Sequence, residues 1–169
     1  MQRAVKANGK RRLDGSSTTG ASFNMDIDMF HHLFKDDIDF GTPLGVGPYA
    51  NQKDQIKRDW KKDIAAIAKC DNVVAKIGGL AMPDNGFGWE TKDKPPSSDE
   101  FAEAQREYYL HTIECFGPDR CMMESNFPVD RMSLSYHVLY NGLKKIVKDF
   151  SQTEKDQMFY GTAERIYKL

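Results

Sequence analysis

Long apolar runs are missing from this chain: nowhere do the ~18 consecutive apolar residues of a membrane-spanning helix occur, and no apolar stretch follows the N-terminus as in a secretory signal. A membrane partner is therefore not expected, and the expected location is intracellular, in the cytoplasm. Cysteine is scarce too. Cys70, Cys115 and Cys121 are odd in number and lack metal-type spacing, so reduced, partly buried thiols are expected and no function is assigned to them. Charge of one sign does not dominate, since 24 Lys and Arg face 25 Asp and Glu, a formal net charge of −1. Nothing in that balance calls for nucleic acid. Gly41, Gly45 and Gly47 look like part of a phosphate loop, but no Gly-Lys-Ser/Thr follows them.

What is present suits one domain with a real core: 169 residues, 40% apolar and 11% aromatic. Residues 1–24 are read as a disordered tail. They hold Arg3, Lys6, Lys10, Arg11 and Arg12, then a Ser/Thr/Gly-rich segment, with few large apolar groups. A basic, hydroxyl-rich start also resembles an organelle transit peptide, which stands as the alternative location.

From residue 51 to 70, Ile56, Trp60, Ile64, Ile67 and Ala68 recur at helical spacing. Val73 to Ile77 is a β-branched run closed by Gly78 and Gly79, which predicts a strand. A Gly/Pro/Asp-rich loop leads to Ser97 and Glu100, a capping box opening a helix whose Phe101, Ala104, Tyr108, Thr112, Cys115 and Phe116 share a face. Gly117 and Pro118 stop it. Cys121 to Met123 then form a short apolar run, followed at once by Glu124, Ser125 and Asn126. Leu134 to Val147 repeat the helical pattern, and Ser151 with Glu154 caps a last helical region.

With a further strand near 37–41, the order is strand, helix, strand, helix, strand, helix. Such alternation predicts parallel βαβ units, with strands near 37–41, 72–77 and 120–125. Three strands do not close a (β/α)₈ barrel, which takes eight and about 250 residues. The expected fold is thus α/β, a piece of a larger architecture, with residues 25–169 as its folded part. An exposed sheet edge in such a piece invites self-association.

Polar side chains at the carboxyl ends of core strands are where α/β proteins place their chemistry. Glu124 and Asn126 point the same way by strand alternation, to line a site or to bond a neighbouring loop. Lys76 lies within an apolar strand, where a charge needs a partner or a function; otherwise it faces outward under a helix. Phe87 and Trp89, between glycines, either cap an apolar substrate or anchor an inert loop. Asp130 and Arg131 form a substrate-contacting pair or a surface ion pair.

The segments FGTPLGVGPYA, NVVAKIGGLAMP, GFGW, PPSS, FGPDRCMMESNFPVD and FYGTAERIYKL, in this order over residues 39–169, resemble the C-terminal part of the amidohydrolase-related family, also called amidohydrolase 2. The resemblance implies a partial (β/α)₈ TIM barrel, its last three βα units. It also implies a hydrolase acting on a small-molecule substrate, a lactone or related carboxylated compound, with a divalent metal such as zinc in many members. Asp39 stands where the family carries a histidine and Asn126 where it carries an aspartate, so the implied ligand set is incomplete and no residue is assigned to a metal. The resemblance implies catalytic roles for Asp39 and Asn126, while the positions of Lys76, Glu124 and Trp89 in the chain make them the expected substrate-binding residues. The alternative is a truncated, catalytically inactive remnant or interaction module, and activity of this chain alone is left open.

Overall fold

The computed structural model describes residues 21–24, 53–83 and 87–169. Its centre is a three-stranded sheet of β1 (Ala21–Asn24), β2 (Val73–Ile77) and β3 (Cys121–Met123), in that order and parallel throughout. β1 lies within the stretch expected to fall outside the fold. The strand expected near 37–41 lies outside the described residues. Ala21 aligns with Val73 and Asn24 with Lys76, while Ala75 aligns with Cys121 and Ile77 with Met123. Parallel neighbours need a crossover, and α2 (Ser98–Phe116) supplies the one from β2 to β3.

The sheet's two faces differ. Val73, Ala75, Ile77, Cys121 and Met123 join the helices in one apolar cluster with Ile64, Phe101, Tyr109, Ile113 and Leu143. By alternation, Val74, Lys76 and Met122 point to the opposite face. Burial of both faces explains why β2 reads as a nearly unbroken apolar run.

Before β2 comes α1 (Lys53–Ile67), with Trp60, Ile64 and Ile67 buried. The Ser97–Glu100 capping box opens α2 as its sequence predicts, and Gly117, at φ 82°, ends it with its N–H on the Ile113 carbonyl at 2.8 Å. The buried stripe of α2 is turned from the expected one: Gln105, Tyr109 and Ile113 are buried, whereas Ala104 is exposed and Tyr108 half-buried. A polar residue sets this rotation. The Gln105 amide donates to the Leu80 carbonyl at 2.8 Å, so a buried glutamine lies where an apolar pattern shows none. Helix α3 (Tyr136–Ile146) packs against α2, and Gly142 permits the approach. A Cβ there would lie 2.2 Å from a Phe101 ring carbon. The chain closes with α4 (Gln152–Asp156), a wide turn at Gln157–Gly161 and α5 (Thr162–Tyr167), with Met158 buried.

Arg120 fastens the amino end of the sheet. Its guanidinium donates to the carbonyls of Phe116 at 2.9 Å, Ala68 at 3.0 Å, Cys70 at 3.2 Å and Val73 at 3.3 Å. Such carbonyls at helix ends lack intrahelical donors, and a planar fork of N–H groups suits several at once. Along the helix pair, Glu107 of α2 accepts from Lys57 and, at 2.6 Å, from Lys61, both of α1. These two bonds hold the Glu107 carboxyl down at about 2 from its ordinary 4.5.

Replacing Arg120 by alanine is expected to cost about 2–4 kcal/mol in urea unfolding, since charged hydrogen bonds are lost and carbonyls stranded. Lysine should recover only part, because an ammonium does not form the fork. A depressed carboxyl stabilises the fold above its unfolded value and loses that contribution as pH falls through the folded one. The E107Q variant should therefore be modestly less stable at neutral pH, with the difference closing between pH 4.5 and about 2; a difference independent of pH in acid titration would contradict this.

Candidate active site

Two strand ends build the site. At the end of β2, Gly78 and Gly79 let the chain turn away, and the Glu124 N–H bonds the Ile77 carbonyl at 3.1 Å, carrying the ladder one residue beyond β3. Gly78 lies against that residue. A Cβ on it would stand 2.4 Å from the Glu124 Cγ and 2.6 Å from its carbonyl oxygen, so a side chain at 78 would push Glu124 aside. With nothing in the way, the Glu124 carboxylate meets the Lys76 ammonium at 2.6 Å. Both belong to the sheet face opposite the helices.

Lys76 keeps 31% of its side chain exposed and Glu124 only 16%. A pair this sheltered is screened less than a surface bridge, and each partner offsets the desolvation of the other. Lys76 is thus not the outward lysine under a helix that its sequence position also allowed. It is a charge on the opposite face, with its partner in place.

Asn126 faces a different set of groups. Its backbone N–H donates to Asp130 Oδ2 at 2.6 Å, and its side-chain amide to Met82 Sδ at 2.9 Å. Asp130 is 0% exposed, and its carbonyl accepts the N–H groups of Ser133 and Leu134, each at 3.0 Å. The expected surface pair of Asp130 and Arg131 is therefore not what forms. Asp130 turns inward and ties the loop after β3 to its own start, while Arg131 stays exposed.

Of the residues picked out by sequence, Lys76 and Glu124 are brought into contact and Asn126 stands two residues further along the same strand end. Asp39 lies outside the described residues. Trp89 is 6% exposed, stacked on Phe87 at 4.8 Å and tilted on Phe101 at 5.9 Å. It is mainly a core residue, and it also lines a groove of about 790 Å³ whose other wall includes Phe127 and Tyr136.

Sequence reasoning passed over Tyr136 and Tyr140. They stand four apart at the start of α3, with rings 4.5 Å apart, and Phe127 meets Tyr136 edge-on at 5.3 Å. Burial, then a hydrogen bond and charge from Tyr136, push the Tyr140 hydroxyl up to about 12; a hydrogen bond from Ser125 opposes this, and the Glu124 charge adds to it. The signal was there as an i, i+4 aromatic pair opening the helix that follows β3.

Among the described residues no group of three His, Cys, Asp or Glu side chains stands together to hold a metal. The donors at hand fit a zinc ion poorly. Glu124 already holds an ammonium, and Asn126 offers a neutral amide directed at a sulfur.

A family model described as amidohydrolase matches residues 44–169. The chain belongs to the amidohydrolase family. An uncharacterized protein of Sinorhizobium fredii, y4mH, is 34% identical to this amidohydrolase chain over 110 residues, which are 65% of the chain and 33% of y4mH. A crystal structure of an amidohydrolase from Burkholderia multivorans with bound HEPES superposes with a TM-score of 0.65 at 18% identity, over 89% of this chain and 45% of that one. One with bound zinc, from the same organism, gives 0.60 at 18% identity, over 97% and 69%. The chain thus spans about a third of y4mH and under half of the first crystal chain. Its fold is the expected partial barrel of βα units.

A double-mutant cycle on K76M and E124Q is expected to give a coupling of about 1–2 kcal/mol in denaturant unfolding, with the double variant more stable than the sum of the single losses implies. Strict additivity would show that the two charges do not support each other.

Proposed function

We propose that the protein is a hydrolase in which water attacks the carbonyl of a lactone or related carboxylated compound. The Lys76–Glu124 pair carries this reading, because it sets a cation and a carboxylate side by side at the carboxyl ends of two parallel strands, on the face away from the helices. A cation at this strand end attracts a substrate carboxylate, so in this reading Lys76 anchors the substrate beside Glu124.

Glu124 is the proton acceptor in this reading. As the water oxygen bonds the carbonyl carbon, its proton passes to the Glu124 carboxylate; as the bond to the ring oxygen breaks, that oxygen takes the proton back. Water and lactone are consumed and a hydroxy acid is released, with Glu124 restored. Asn126 orients the strand end through its bonds to Asp130 and Met82. Asp39 keeps its proposed catalytic role, outside the described residues.

The zinc in a solved relative raises a metal for this protein as well. Ligands for one would have to come from outside the described residues, and no step is assigned to it.

Steady-state hydrolysis of a panel of carboxylated and neutral lactones tests the proposal. K76M should raise KM at least tenfold for carboxylated members alone, and E124Q should lower kcat about 10²- to 10⁴-fold with KM little changed. A folded protein that turns over no member, or an E124Q variant with undiminished kcat, would overturn it.

A further inference from the structure

A depression of about 480 Å³ lies between the end of α3 and the wide turn at Gln157–Gly161. Val147 and Phe159 supply its apolar lining, the cations Lys144, Lys148 and Lys155 stand around it, and Asp156 is the one carboxylate among the residues that line it. Its volume falls within the ~300–1,000 Å³ of small-molecule sites. The wide turn leads straight into Thr162, whose hydroxyl donates to the Asp119 carbonyl at 3.0 Å, just before β3 begins. The depression is therefore toward the amino end of the sheet, whereas Lys76 and Glu124 stand at the carboxyl end.

Cations near the end of a helix ordinarily answer its last carbonyls. In α3 other residues do so. Arg106 donates to the carbonyls of Ile146 at 3.2 Å and Lys145 at 3.4 Å, and Lys155 to that of Lys148 at 2.7 Å. Lys145 turns to α2, where it meets Ser98 at 2.9 Å and Asp99 at 2.7 Å. Lys144 and Lys148, four apart and both exposed, enter no ion pair among the described residues. Like charges at that spacing repel each other, and Asp156 beside them already accepts the Gln152 amide at 2.7 Å. The aromatic in the hollow comes from the wide turn itself: Met158 is buried with Cys121 and Met123 of β3, and the next residue, Phe159, is left half-buried against the lysines. Wide turns of this kind within helices recur at functional sites.

We propose that this depression is a binding site for a small phosphorylated molecule that carries an apolar chain. The phosphate lies between the Lys144 and Lys148 ammonium groups, and the chain lies on Phe159 and Val147. A phosphate monoester brings close to two negative charges at neutral pH, which matches the two lysines. Exposed charge pairs alone contribute little in water, so the apolar contact is what separates this ligand from a free phosphate ion. The site does not depend on the hydrolase reading.

Calorimetric titration of the full chain with hexyl phosphate, inorganic phosphate and hexanol tests this. Hexyl phosphate should bind at least tenfold more tightly than either of the others, and its affinity should fall as salt is raised. The surface double variant K144Q/K148Q should lower that affinity at least tenfold while circular dichroism and the thermal midpoint stay as they were. F159A should bring hexyl phosphate down to the level of inorganic phosphate, and F159L should keep most of the binding. Equal affinities for hexyl phosphate and inorganic phosphate, binding that survives K144Q/K148Q or F159A, or no binding of any probe would overturn the site. So would co-sedimentation with phosphatidylglycerol vesicles without binding of hexyl phosphate, which would assign the lysines to a lipid surface instead.

Discussion

Four backbone carbonyls converge on one guanidinium, and the placement of both strand ends follows from that. Arg120 gathers the carboxyl ends of α1 and α2, at Ala68 and Phe116, together with Cys70 and Val73 at the entry to β2, and it does so one residue before β3 begins. Helix ends leave carbonyls without donors, and burying them unpaired costs on the order of 1–3 kcal/mol each. A single side chain meets this need at both helix ends. Its guanidinium also lies over the Phe116 ring, 5.2 Å from the centroid, a cation–π contact.

Rigidity at the amino end has a consequence at the other. Because β2 and β3 start from one clamp and run parallel in fixed register, Lys76 and Glu124 emerge on the same face at a spacing that their side chains bridge at 2.6 Å. Gly78 contributes by having no side chain to intrude on Glu124. Asp130 performs for the loop after β3 what Arg120 performs for the strand entries: one side chain answers backbone donors or acceptors that have left regular structure. Each end of the sheet is secured by one such side chain, and the chemistry-bearing residues lie next to the second.

Much of this frame could be read from the chain. Val73 to Ile77 is apolar because both faces of a parallel strand are buried, and the Ser97 and Ser151 capping boxes mark two helix starts by a local hydrogen-bonding rule that needs no tertiary partner. Where tertiary contacts decide, the reading fails. Gln105 is buried through its bond to Leu80, which turns the core face of α2, and Asp130 is withdrawn from the surface by a backbone N–H four residues earlier. Neither partner is visible in a periodic pattern. Lys76 belongs to both cases: its oddity in an apolar strand marked it out, but only the register with β3 names Glu124 as the group it meets.

Charge balance at this strand end explains how an asparagine suits position 126. Glu124 and the buried Asp130 bracket it in sequence, and Asp130 bonds its backbone N–H directly. A carboxylate at 126 would add a negative charge two residues from Glu124 on the same strand end, and neighbouring like charges raise the cost of ionising one another. A divalent cation would relieve that cost, which is how clustered carboxylates are usually tolerated. Here the ammonium of Lys76 already neutralises Glu124, and the neutral amide at 126 donates to Met82 instead of adding charge. Lysine at 76 and asparagine at 126 are thus complementary features of one electrostatic arrangement, in which a side-chain cation balances the carboxylate beside it.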